Sequence, residues 1–400
     1  VSSFGGWITR VGLPLTAVIA LHARPTEVGR LAAVSAAPAL VVGLLAGGLV
    51  DRTRRRPLLI FADIARAVLL LGVPVLALTH QLHMAELLVV AAAVAGLSVL
   101  FDMADHAYLP ALVSPPQLME ANSRMGATES VAEIGGPALA GALVSALTAP
   151  MAIALNAVTY LVSAGILLAI TTREPAPPVR AIAGGWRSDI GDGFKLATGD
   201  PRIRPLFLAA SSSGLFGAFF LALYIVFAID QLGLTPAMLG LTIAVGGVGS
   251  LIGAALASPF GARLGLGPAL IGAGALNALF SLFVPLAAGA PLMAMLLLMA
   301  AQLFGDAAGT AWLIYAKTLR QSLLAPRVLG RVAGAFTAAS GLAAIVGALV
   351  GGELGQWLGA RPTLLIACVG LALAPAFCLA SPLRRLRVME PLEADRNAAG

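Results

Sequence analysis

The chain has 400 residues, of which 59% are apolar and only 11% charged, with a formal net charge of +6 and a mean hydropathy of +0.94. Soluble domains carry about 25% charged and 45–50% apolar residues, so a water-soluble fold would leave large apolar patches in water. This excludes a soluble enzyme and the disordered, collagenous and disulfide-rich classes, and leaves a polytopic helical membrane protein.

A membrane helix needs roughly 20 mainly apolar residues. Twelve such spans are predicted, at 2–22, 29–50, 58–79, 85–105, 121–147, 150–171, 203–229, 237–259, 268–289, 291–316, 328–352 and 361–381. The first begins without Met and is apolar from the start, so the sequence is expected to open inside helix 1. The fold class is therefore all-α and integral to the membrane, in two pseudo-symmetric six-helix bundles, 1–171 and 203–382. A linker, 172–202, joins them, and a tail, 383–400, follows. The linker holds four Pro and then an amphipathic stretch, Trp186–Leu196, expected to lie at the interface. Pro115-x-x-Leu118 before span 5 is echoed by Pro326-x-x-Leu329 before span 11, a trace of internal repetition.

Charge sets the topology. With span 1 running outward, 19 of the 25 Lys and Arg fall in cytoplasmic segments and 3, Arg24, Arg30 and Arg361, fall outside. The positive-inside rule then puts both termini in the cytoplasm, as expected for a multi-pass protein of the plasma (inner) membrane. The Arg residues punctuate apolar runs, so no nucleic-acid partner is expected. Cys368 and Cys378 share span 12 and lie roughly 15 Å apart along it, too far to bridge. His80-x-x-His83 with Glu86 lacks a further ligand set, so no metal site is expected. No G-x-x-x-x-G-K-[ST] loop and no nucleophile triad occur, so no cofactor is expected and the chain is not read as an enzyme.

Between spans 2 and 3 stands Gly47-x-Leu49-Val50-Asp51-Arg52-Thr53-Arg54-Arg55-Arg56. Asp51 suits a helix terminus, and the Arg cluster suits an anionic leaflet. This run resembles the G-x-L-x-D-R-x-G-R-R loop of the major facilitator superfamily, with Arg54 in place of the second glycine. Gly136-Pro137-x-x-x-Gly141 resembles that superfamily's antiporter-associated helix 5 motif. Leu155-Asn156-Ala157-x-x-Tyr160 resembles helix 6, and Leu329-Gly330-Arg331-Val332 the start of helix 11, of its drug-efflux branch of macrolide and siderophore exporters. The resemblance implies that Gly47, Asp51, Arg52, Arg55, Asp63, Arg66 and Asp102 form a gating network.

Ionisable residues inside spans are costly in lipid and mark functional candidates. Glu129 and Glu133, four apart, share a face of span 5, at depths of roughly 12 and 18 Å from the cytoplasmic side. Arg10 lies at a depth of about 12 Å and is expected to pair with one of them. That leaves one carboxylate as an anchor and the other as a proton carrier, or else a static buried pair. Asp306 is the acidic residue deep in the second bundle, a proton or substrate site or a helix cap. The expected partners are a small-molecule substrate, protons and the lipid bilayer, for a monomer. The resemblance implies secondary active export of a small apolar or amphipathic compound by proton antiport. An importer or lipid-moving facilitator is the runner-up reading, and a non-transporting receptor the remote one.

Overall fold

The computed structural model describes residues 2–45, 53–170 and 186–386. Its helices follow the expected spans in number and order. They are α1 (Ser2–Leu15), α2 (Pro25–Leu45), α3 (Arg55–Leu78), α4 (Met84–Leu112), α5 (Leu118–Ala146), α6 (Ala149–Ala169), α7 (Ile203–Val226), α8 (Pro236–Leu264), α9 (Leu266–Ser281), α10 (Pro291–Leu323), α11 (Pro326–Leu358) and α12 (Ala360–Leu371). Short helical pieces extend α9 to Leu286 and α12 to Leu379. A separate linker helix covers Trp186–Gly199, three residues longer than the amphipathic stretch seen in the sequence.

Among the described residues nine helices, α3, α4, α6 and α7 to α12, are long and apolar enough to cross a membrane. The other three of the twelve have visible reasons to fall short. The α1 helix is made less apolar by Ser2, Ser3, Gly5, Gly6 and Arg10, α2 is described only to Leu45, and α5 carries Glu120, Arg124, Glu129 and Glu133. Several helices outrun their apolar cores. The α10 helix ends at Leu323 instead of 316 and α4 at Leu112 instead of 105. Hydropathy marks only the hydrocarbon layer, whereas backbone hydrogen bonding carries a helix on into the polar interface.

The first unit has two ends: the basic end carries Arg54, Arg55 and Arg56 at the start of α3, and the far end, at the other end of α2, carries the α1–α2 turn, with the α7–α8 turn in the same unit. Those two turns are copies. The α1 turn Thr16–Ala20 and the α7 turn Phe227–Gln231 are both π-helical, and 211 residues separate them. Each is followed by a left-handed residue at the same offset, His22 (φ 49°) and Gly233 (φ 66°). Glycine takes that conformation without strain, whereas histidine pays of order 1 kcal/mol. The Pro115 and Pro326 echo has the same 211-residue offset.

The chain forms two compact units. One comprises Val1–Ile182, Leu221–Ala244 and Ala348–Ala360, and the other Ala183–Phe220, Val245–Gly347 and Arg361–Gly400. The far-end segments of α7, α8 and α11 thus belong to the first unit. There α1 packs on α5 and α6, α3 on α4 and α6, and α2 on α4. In the second unit α9 packs on α10 and α12. An aromatic chain docks the linker helix: Phe194 meets Phe207 of α7 edge to face at 5.6 Å, and Phe207 meets Phe336 of α11 at 5.3 Å.

Candidate functional site: the charges at membrane depth

The charged residues of the first unit separate into a sealed group and an open group. Asp63 and Arg66, one helical turn apart on α3, are 0% and 3% exposed. The Arg66 guanidinium donates to Asp63 Oδ1 at 2.5 Å and to Ser98 Oγ of α4 at 3.4 Å. Its Cζ lies over two aromatic rings, Phe101 of α4 at 4.4 Å and Tyr160 of α6 at 4.2 Å. These two cation–π contacts compensate part of the lost hydration. Tyr160 of the helix 6 motif therefore has a definite task. So does Asn156, buried at 0%, whose amide donates to Thr9 Oγ1 of α1.

The open group lies on α1, α4 and α5. Arg10, Asp102, His106 and Glu129 are exposed on the surface of their unit, and Asp105 and Glu133 are half-buried. Asp102 lies within electrostatic reach of Arg66, Arg10, His106 and Glu129, and Asp105 within reach of His106, Asp102 and Glu129. The expected Arg10 pair with Glu129 or Glu133 is not formed within 4 Å; instead Arg10 stacks over Trp7, one turn earlier on α1, at 5.1 Å. Equal depth fixed height but not azimuth. Trp7 is seated by Gly136, where an added Cβ would lie 2.6 Å from Trp7 Cβ. The helix 5 motif thus holds the ring that carries Arg10. His106 was not singled out from sequence; its spacing of four from Asp102 on one helix face was the available signal.

Gly47, Asp51 and Arg52 lie outside the described residues. Arg55 is half-buried at the start of α3. Its neighbour Arg56, which the motif did not single out, donates through Nε and NH2 to the carbonyls of Leu167 and Leu168, at 2.9 and 2.8 Å. These are terminal carbonyls of α6, so a cation caps the negative end of a helix. Arg56→Ala is expected to lower the unfolding free energy by about 1–2 kcal/mol, read as a lower melting temperature in detergent; an unchanged melting curve would count against the cap.

His83 caps α4: its backbone N–H donates to Glu86 Oε2 at 3.0 Å, which gives His83 and Glu86 a structural task. Among the described residues no group of three or more His, Cys, Asp or Glu could hold a metal. In the second unit Asp306 of α10 points at Gly246 of α8, with Gln302 one turn away on the same side. Nearby, Asn277 of α9 donates to the Gly305 carbonyl at 2.9 Å.

A twelve-helix bundle built as a repeat, with sealed and open charges at membrane depth, defines a polytopic membrane transporter and not an enzyme. The sequence pattern of the Major Facilitator Superfamily matches residues 1–348, and the chain belongs to that superfamily. It is 26% identical over 382 residues to an uncharacterised MFS-type transporter, YfiS, of Bacillus subtilis (strain 168), a match covering 92% of this chain and 87% of that one. In fold it is similar to the nucleoside transporter NupG, with a TM-score of 0.75, 13% identity and coverage of 94% and 96%. It is also similar to a bacterial homologue of the iron transporter ferroportin in an inward-facing state, with a TM-score of 0.73, 17% identity and coverage of 94% and 96%. The family implies a small-molecule substrate carried across a lipid bilayer.

Proposed function

We propose that this transporter is a secondary active exporter of a small apolar or amphipathic compound, exchanged for protons by alternating access. The basic end faces the cytoplasm of the plasma membrane, and the working unit is a monomer. The observation that carries the reading is the open charge group. Asp102, Asp105, Glu129 and Glu133 outnumber Arg10 there; Glu129 and Glu133 lie within span 5, and Asp102 and Asp105 near the cytoplasmic end of span 4. Carboxylates are tolerated at such depth where they face a water-filled cleft, and there they can take up and release protons. Gly136-Pro137-x-x-x-Gly141 supports antiport through its resemblance to the antiporter motif. Asp306 is the corresponding candidate in the second unit, and Asp63, Arg66 and Asp102 remain candidates for gating.

The test begins with a toxicity panel in an efflux-deficient host, with and without an uncoupler, to find a transported compound. Efflux of that compound is then measured against an imposed proton gradient. Glu129→Gln or Glu133→Gln is expected to reduce gradient-driven efflux about tenfold, equivalent to 1.4 kcal/mol in the barrier. If both variants keep coupled efflux at the parent rate, the proton assignment fails. Lower cell content with the protein than without it marks export; the reverse marks the importer alternative.

A further inference from the structure

In the second unit, α9 and α12 enclose an apolar groove of about 490 Å³. The two helices run antiparallel. The Gly267 N–H at the start of α9 donates to the Leu386 carbonyl beyond α12 at 3.0 Å, and Arg361 at the start of α12 donates to the Ala287 carbonyl beyond α9 at 2.8 Å. The groove runs from Ile271 and Leu379 at one end to Leu282 and Cys368 at the other, a length of about 16 Å along either helix. Three exposed alanines, Ala275, Ala372 and Ala376, leave it open, and no charged side chain lines it. Val369 on its rim is 70% exposed, so the groove opens on the surface of the unit.

The Ile271 end sets this groove apart from an ordinary lipid-facing surface. There α12 passes into a short 3-10 turn, Pro382–Arg385. Ser381 Oγ caps the turn by accepting from the Leu383 N–H at 3.2 Å, and Leu383 is fully buried. An added Cβ on Gly267 would fall on the Leu383 carbonyl oxygen, so bare backbone seats the turn against the start of α9. The seated turn carries two exposed cations, Arg384 and Arg385, and Arg263 stands exposed at the end of α8, just before α9. No Asp or Glu occurs between Asp230 and Asp306 or between Glu353 and Glu390, so α8, α9 and α12 hold no carboxylate to neutralise these charges.

We propose that the groove is a binding site for one anionic phospholipid of the adjoining leaflet. Arg384 and Arg385 hold its phosphate, Arg263 adds to the positive field, and one acyl chain lies in the groove. The dimensions fit. The hydrocarbon of one leaflet is half of roughly 30 Å deep, which matches a groove about 16 Å long. About 6 Å along α9 separates Gly267 at the turn from Ile271 at the groove, and the glycerol and ester groups fill that interval. The chemistry selects the occupant. Arginines at a membrane surface attract anionic headgroups, a guanidinium grips phosphate through paired N–H donors, and an uncharged apolar groove accepts a hydrocarbon chain. The bound lipid ties the end of α12 to the start of α9, whichever compound is moved and whichever ion drives it.

The experiment needs neither substrate nor gradient. The full chain in mild detergent is titrated with dioleoyl phosphatidylglycerol or dioleoyl phosphatidylcholine, and bound lipids are counted by native mass spectrometry. The parent is expected to bind its first phosphatidylglycerol at least about tenfold more tightly than phosphatidylcholine. Arg384→Gln with Arg385→Gln, surface changes that spare the fold, is expected to bring the two lipids within about twofold of each other. Ala372→Leu with Ala376→Leu fills the groove from exposed positions and is expected to weaken the first phosphatidylglycerol at least about tenfold. Gly272→Leu adds bulk to α9 outside the groove, with nothing within 4 Å of its Cβ, and leaves the affinity unchanged. Glycerol phosphate, which has no acyl chain, is expected not to displace the lipid. Equal affinity of the parent for the two lipids, or parent affinity in the groove-filled variant, would overturn the site. Displacement by glycerol phosphate would reduce it to a phosphate site, and a dimer peak lost on filling the groove would assign the groove to a second copy; either overturns the lipid assignment. All of these results leave proton-coupled export standing, and failure of that assignment leaves the lipid site standing.

Discussion

Arg66→Ala is expected to be the most destabilising single substitution in the first unit, lowering the unfolding free energy by about 3–5 kcal/mol. The loss has two parts. Asp63 Oδ1 loses its 2.5 Å partner while remaining fully buried, and its Oδ2 is buried beside Ser163 of α6. An uncompensated carboxylate then sits where α3, α4 and α6 meet. In addition, the Phe101 and Tyr160 rings lose their cationic partner. Arg66→Lys keeps the charge but not the planar fork or the guanidinium contact with both rings, so it is expected to lose about half as much. Size-exclusion thermostability of a fluorescent fusion measures both. A double change, Asp63→Leu with Arg66→Met, removes both charges at similar volume and is expected to recover most of the stability. If that double variant is stable and transports normally, the pair is a brace; if it is stable and inactive, the pair belongs to the gating network. An Arg66→Ala protein as stable as its parent would contradict the geometry itself.

What the sequence revealed and what it hid follow from different physics. Membrane insertion needs long apolar runs, so the twelve helices and the basic end were legible as simple strings. The amphipathic Trp186 segment was equally plain. Helix ends were not, because nothing in hydropathy marks where a helix leaves the hydrocarbon layer. Side-chain partners were hidden more deeply. Arg10 and Glu129 share a depth, but the side on which Arg10 leaves α1 is set by Trp7 sitting on Gly136, a contact between helices far apart in sequence. Arg56 read as one more positive charge in a loop until the Leu167 and Leu168 carbonyls appeared beside it. The glycines at which two helix backbones meet were lost among 45. What distinguishes Gly29, Gly141, Gly240 and Gly352 from glycines that pack nowhere, such as Gly72, is the backbone of a partner helix that an added Cβ would meet, which no local pattern reports.

Gly246→Ala is expected to abolish most transport while leaving the protein nearly as stable as its parent, whereas Gly249→Ala, three residues on, is expected to destabilise the fold. Both glycines face α10 from α8, yet they meet different things. An added Cβ at Gly246 would fall on Asp306 Oδ2, with Gln302 Nε2 at 3.5 Å. Both are ends of flexible side chains, so the methyl group fits once the carboxylate turns away; the cost is small, but the carboxylate is moved. At Gly249 the Cβ would crowd the Leu303 carbonyl oxygen and lie 3.0 Å from its carbonyl carbon. That is helix backbone, and α8 and α10 must move apart, at a cost of about 1–3 kcal/mol. Asp306 is the sixteenth residue of the 33-residue α10, and inserting a carboxylate so deep costs about 2.5–3.5 kcal/mol, a cost retained where the group serves a purpose. If that purpose is transport, Gly246→Ala and Asp306→Asn share one phenotype, an activity loss of at least about tenfold with melting temperatures close to the parent's. If Asp306 only caps or braces α10, Asp306→Asn loses stability first and Gly246→Ala transports at the parent rate. Efflux and thermal unfolding measured on the same three purified variants separate the two cases.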